Sequence, residues 1–286
     1  MKPAVGIRIR CALLALLLAL DAHRVLHADV PPGAAAAFDT YARQVEQRLR
    51  FQHASGPTFL ASSGGAASIS LHTGTLRIER VTEPTPSPSP DALATAAGAR
   101  LDHWRGTAFV PGVTAEQFES LLRDVSHYPT TFAPQVEQAR IVASSPDRLL
   151  VTMRVRQHHV LTVVMDAAYD VTFAHLDPAH GYSLSRSTRI AELDAPGTPR
   201  EHPLPPAGEH GFLYRLNTFW SWEQRDGGLY LQIETISLSR AIPRGLHWIV
   251  GPYVDSIPRD SLAFTLTSAR NALLAERQRH PPAHAS

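Results

Sequence analysis

Cysteine occurs once in the 286 residues, at Cys11, and lysine once, at Lys2. A lone cysteine excludes a disulfide framework and any Cys-rich zinc module. Charge of one sign is also missing: 27 basic residues face 26 acidic ones, a formal +1. A nucleic-acid binder would carry a marked basic excess, so that class is set aside. The signatures G-x-S-x-G, H-E-x-x-H, C-x-x-C, the phosphate loop and G-x-G-x-x-G are all absent. What remains, 44% hydrophobic and 19% charged residues, is the composition of a soluble globular chain.

The first 28 residues read as a secretory signal peptide. Lys2, Arg8 and Arg10 form a basic start, Cys11 to Leu20 is an unbroken apolar run, and Ala28 offers a cleavage point before Asp29. Ala22 is an alternative site, and an uncleaved anchor is the alternative fate. Ten apolar residues fall short of the roughly 20 needed to span a bilayer. Removal takes four basic residues (Lys2, Arg8, Arg10, Arg24) and one acidic (Asp21), leaving 23 basic against 25 acidic and neither lysine nor cysteine. The expected location is the periplasm or the medium.

Residues 29–82 hold an amphipathic helix over 34–51, with Phe38, Tyr41, Val45 and Leu49 on one face, and a short strand at 75–81. Residues 83–100, with proline at every second position from Pro84 to Pro90, read as a linker or long loop. The main domain runs over 101–280, with a disordered tail at 281–286. Its first strand spans 104–110, and Thr114 and Gln117 form a capping box that opens a helix. Six strands follow near 135–144, 148–156, 160–174, 182–193, 212–224 and 229–240, most joined by hairpin-like turns. The Pro-rich loop 194–210 interrupts them. A Gly/Pro-broken apolar segment, 241–252, precedes a closing helix over 258–277 with Ser256 as its N-cap. The class is α+β: a curved antiparallel sheet of about seven strands around a long C-terminal helix, with an extra N-terminal helix.

That order of elements, with Asp124, Tyr128, Pro129, Phe132, Pro134 and Val136 between the helix and the next strand, resembles the helix-grip (SRPBCC, START-like) superfamily over residues 101–278. The superfamily includes lipid-transfer domains, coenzyme-Q-binding proteins and polyketide cyclases. The resemblance implies a sheet wrapped around the C-terminal helix with an apolar cavity between them.

Strand alternation nominates the cavity lining. Leu149, Val151, Met153 and Val155 form one inner row; Leu161, Val163, Met165, Tyr169, Val171 and Phe173 form the next; Phe212, Tyr214, Leu216, Thr218, Trp220 and Trp222 share a face of the third. Leu229, Leu231 and Ile233 are inner on the last strand, and a bulge near Thr235 would bring Ile236 and Leu238 to the same side. Large residues at strand spacing fill a solid core as readily as they line a pocket; the resemblance favours the pocket. Tyr182, Leu184, Arg186, Thr188 and Ile190 share a face, so Arg186 would point inward, where a charge needs a partner. It is either an anchor for a ligand carboxylate or phosphate, or half of an internal ion pair, or turned outward by a register slip. Tyr128, Met153, Met165, Tyr169, Arg186, Tyr214, Trp220, Trp222, Ile233, Trp248 and Phe264 are the candidate ligand contacts. Trp248, beside Leu246, Ile249 and Val250, would serve as a lid or touch a membrane, or staple the loop to the helix.

Thirteen histidines remain after His23 and His27. His158 and His159 are adjacent and would point to opposite strand faces, so neither a metal nor a cofactor is expected. The favoured function is an exported carrier of a lipid, isoprenoid quinone or similar hydrophobic or amphipathic molecule, with transient membrane-surface contact and no nucleic-acid partner. The alternatives are a cyclase- or hydrolase-like enzyme in the same cavity, with Arg186, Tyr214, Glu234 and Asp166 as acid–base candidates, and an envelope protein whose cavity is filled.

Overall fold

The computed structural model describes residues 30–61, 70–82, 89–158, 162–241 and 247–279, with backbone alone at 207 and 247–255. The segment expected as a signal peptide, Leu161, residues 242–246 and the expected tail lie outside the described residues. Helix α1 (Pro32–Gln52) starts on Pro32, where a missing N–H has no intrahelical partner to lose, and buries Phe38, Tyr41, Val45 and Leu49 on one stripe. After β1 (Arg77–Arg80), α2 (Pro90–Ala96) stands in the stretch expected as linker. Ser89 accepts from the Ala92 N–H, Pro90 opens the first turn, and the alanines after it favour helix.

The main body then runs β2 (Ala99–Pro111), α3 (Ala115–Arg123), α4 (Tyr128–Thr131), β3 (Val136–Ser145), β4 (Arg148–His158), β5 (Thr162–Asp177), β6 (His180–Asp194), β7 (His202–Pro203), β8 (Arg215–Arg225), β9 (Gly228–Arg240) and α5 (His247–Arg279). The Thr114–Gln117 capping box is formed. α5 begins eleven residues before the expected start and passes through Pro252 and Pro258, with Ser256 inside it. Each proline forfeits one hydrogen bond to the residue four back, which a 33-residue helix survives.

The strands form one antiparallel sheet in the order β1-β2-β9-β8-β6-β5-β4-β3, with β7 paired to β6 off this path. β2 and β4 stand five strand spacings apart, about 24 Å in a flat sheet. Yet Ala108 and Val110 of β2 share one core cluster with Leu149 and Val151 of β4 and Leu262, Leu266 and Leu273 of α5. The sheet therefore curls around the helix. Gly106 sets the approach: a Cβ there would come within 2.5 Å of Leu262 and 3.0 Å of Leu266.

Over β2, β9, β8 and β6 both faces of the sheet are covered. The inner face meets α5 and α3. The outer face, through Leu101, Phe219, Ile236 and Leu238, meets Phe38, Tyr41, Val45 and Leu49 of α1. Phe59, Leu60 and Leu71 extend that cover over Phe109 and Tyr230. This corrects two expectations. β9 carries no bulge at Thr235, its register with β2 and β8 being continuous, so Ile236 and Leu238 face α1. On β6, Leu184 packs in the outer cluster, so Arg186, two residues on, is outer as well.

The inner groove has two ends. At the closed end, α3 and the last turns of α5 seal a solid core of Phe118, Phe173, Trp220, Trp222, Leu229 and Leu231. Trp222 lies over Gly181, where a Cβ would come within 2.4 Å of its ring. At the other, open end lie His158 at the end of β4, Thr162 at the start of β5, the loop 195–214 and Arg240 at the end of β9.

Candidate amphipathic groove

The inner face toward the open end has two unlike walls. On β4 and β5 it is apolar: Met153, Val155, Met165 and Tyr169, in paired register Val151↔Tyr169, Met153↔Ala167 and Val155↔Met165. Burial pushes the Tyr169 phenol pKa upward, and its hydroxyl has no hydrogen-bond partner among the described residues. Across β6, β8, β9 and β2 the wall turns polar. Ser185, Thr218, Thr235 and Trp104 stand opposite one another along one row. In the next row Asp102 faces Ser237, which faces Leu216. The Asp102 carboxylate is held by Arg100 at 2.6 Å and Arg80 at 3.4 Å. On the helix side Phe264 is half-buried, and Ser261 meets Gln157 at 3.3 Å.

The nominated residues divide among distinct places. Met153, Met165 and Tyr169 lie on the apolar wall. Trp220, Trp222 and Ile233 are in the solid core, packed with Phe118, rather than along an open groove. The Tyr128 hydroxyl donates to the Leu122 carbonyl at 2.6 Å and its ring meets Phe132 edge-on, bracing the α3–α4 corner. Tyr214 precedes β8 and packs in the outer cluster. Arg186 donates to Glu46 of α1 at 2.7 Å and stands opposite Asn217 and Asp170, away from the groove. The Trp248 side chain lies outside the described residues.

The four acid–base candidates are all on the outer side. Asp166 pairs with Arg154 at 2.8 Å, and Arg186 and Tyr214 are placed as above. Glu234 is the centre of a buried network beneath α1 that sequence reading missed. His103 Nε2 lies 3.0 Å from it, Arg105 donates to it at 2.8 Å, and Arg48 of α1 donates to the same carboxylate. Tyr41 of α1 in turn meets His103 Nδ1 at 3.0 Å. Burial alone would raise the Glu234 pKa; the His103 hydrogen bond and the charges of Arg105, Arg48 and His103 hold it well below the usual carboxylate range. Tyr41, His103 and Glu234 resemble a hydroxyl–base–carboxylate relay, but all are buried under α1 and each polar tip is already engaged. The network fastens α1 to the sheet.

The Pro-rich loop is anchored beside the groove. Glu192 accepts from the backbone N–H groups of His210, Gly211 and Phe212 and meets the His210 ring at 2.8 Å. Burial opposes this carboxylate, and the bonds to His210 and Phe212 still hold its pKa low.

No family model matches the chain, and no curated protein matches it. Among solved structures it is similar to a STAR-related lipid transfer protein fragment from Xanthomonas axonopodis: 13% identity, TM-score 0.44, covering 68% of this chain and 98% of that one. It is also similar to human STARD10 (10%, TM-score 0.42, covering 72% and 77%) and to the Zhui aromatase/cyclase from Streptomyces sp. R1128 (17%, TM-score 0.40, covering 65% and 99%). The chain's own topology, a curved antiparallel sheet wrapped around a long C-terminal helix, is a helix grip. Within it, α1 on the outer face and its ionic attachment are described by the chain's own contacts. Among the described residues no group of three metal-ligating side chains converges, and no helix is long and apolar enough to cross a membrane.

Proposed function

We propose that the chain binds a hydrophobic or amphipathic small molecule between the inner sheet face and α5, toward the open end. The observation that carries the reading is the contrast along one groove. The closed end is a solid aromatic core, whereas the open end presents half-buried Met153, Val155 and Trp104. There the Tyr169 hydroxyl and the Trp104 Nε1 have no hydrogen-bond partner among the described residues. Apolar walls with a few unpaired polar groups are the usual chemistry of small-molecule sites. The acid–base candidates lie on the other face, which favours carriage over catalysis. A surface hollow of about 330 Å3 lined by Gly112–Thr114 and Gln224–Gly228 is at the closed end and is no part of this reading.

The reading includes export, supported by the basic and apolar start of the sequence, and transient membrane contact through the apolar segment around Trp248. The neutral fluorophore N-phenyl-1-naphthylamine tests the groove. We expect saturable one-to-one binding, weakened about tenfold or more by Val155→Trp with unchanged melting temperature. Absent binding, or binding indifferent to Val155→Trp, overturns the proposal.

A further inference from the structure

β6 reads Ser183-Leu-Ser-Arg-Ser187 and β9 reads Thr235-Ile-Ser-Leu-Ser239. In each, the larger residues face α1 and the hydroxyl residues face α5. With Thr218 of β8 between them, three adjacent strands present a patch of hydroxyls to the groove. Ser185, Thr218, Thr235, Ser237 and Ser239 are half-buried, and none of their hydroxyls has a hydrogen-bond partner among the described residues. The Trp104 Nε1, at the end of the same row, is buried and has no partner among the described residues. From Trp104 to Ser185 the row crosses three strand spacings, about 14 Å, room for a sugar ring along part of it or a fused ring system along most of it.

A wall built only to hold alkyl chains would not set unpaired hydroxyls against them, because a polar group buried without a partner opposes binding. The Asp102 carboxylate at the β2 edge is already engaged by Arg100 and Arg80, so the wall recognises through neutral groups rather than ion pairing. We propose that the groove selects an amphiphile with several hydroxyl or carbonyl oxygens along one flank. Those oxygens meet Ser185, Thr218, Thr235 and Trp104, while an apolar flank lies on Met153 and Val155. This rests on the binding function proposed above and names its ligand class. Ser185, Thr218 and Thr235 are then specificity-determining residues.

The test uses two probes with the same eight-carbon tail, n-octyl glucoside and n-octanol, titrated calorimetrically below the micelle concentration. The glucoside should bind about tenfold or more tightly than octanol. The double variant Thr218→Val/Thr235→Val keeps side-chain shape, and it should erase that preference while leaving octanol binding equal or stronger. Val155→Trp should weaken both probes. Ser185→Ala is a second, milder variant whose preference should fall in the same direction if the double variant does not fold. Equal binding of the two probes, or a preference that survives the threonine and serine changes, overturns the hydroxyl wall while Val155-sensitive binding still upholds the groove. Indifference of every probe, the neutral fluorophore included, to Val155→Trp overturns the groove and this proposal together.

Discussion

Glu234 and Thr235 are neighbours on β9 and stand on opposite faces of the sheet. Glu234 is 2% exposed and is met by Arg48, Arg105 and His103. Thr235 is half-buried, and its hydroxyl is met by nothing in the protein among the described residues. At this position, polarity on the outer face is consumed in holding α1 down, and polarity on the inner face is left over among the described residues. A buried polar group that is fully engaged serves the fold; one left unengaged is where the proposed ligand would bind.

The largest test of this contrast is Glu234→Leu. It removes the buried carboxylate shared by Arg48, Arg105 and His103, leaving Arg105 only Glu79 and Arg48 only Gln52 among these contacts. We expect a loss of about 3 kcal/mol in urea unfolding, the low end of the range for breaking one side of a buried ion pair. A loss under about 1 kcal/mol would show that the outer network does not fasten the helix.

The next is a pH effect from the same face. His53 is buried between Phe59 and Tyr182 and bonded to Ser221 at 2.8 Å. Burial, opposed by the Glu234 charge and aided by that of Arg48, lowers its pKa from 6.5 to about 4. Between those values the unfolded chain binds a proton that the folded one refuses. This contribution is therefore complete above pH 6.5 and lost as the pH falls toward 4. About 2 kcal/mol should disappear between pH 7 and pH 5, and His53→Gln should flatten that limb of the stability profile.

The smallest effect belongs to the inner face. Thr218→Val/Thr235→Val should leave unfolding free energy within about 0.5 kcal/mol, since these hydroxyls make no hydrogen bond among the described residues. A large destabilisation would mean that these hydroxyls serve the fold after all.

Much of the architecture was legible in local pattern. The capping box at Thr114, the strand order along the chain and the inner rows of β4, β5 and the first half of β9 follow from spacing alone. The reading failed where it assumed that only one face was covered. On β6 and the second half of β9, Leu184, Ile236 and Leu238 were assigned to the core because they are the large residues. They are indeed buried, but under α1. That single assumption also turned Arg186 inward and hid the serines. The period-two hydroxyl pattern on β6 and β9 was the available signal. The Tyr41–His103–Glu234 network offered none: its members are separated by 62 and 131 residues, and no local spacing links them.

The attachment of α1 also has a meaning in time. Arg48 meets Glu234 across 186 residues of chain. During synthesis α1 is among the first described elements to emerge, and the strand that receives it is the last. Its apolar stripe and its cations must wait, without their partners, until the sheet is nearly complete. Such long-range closure slows folding and leaves the early helix open to wrong associations, so a chaperone that shields residues 32–52 would matter most before β9 is made.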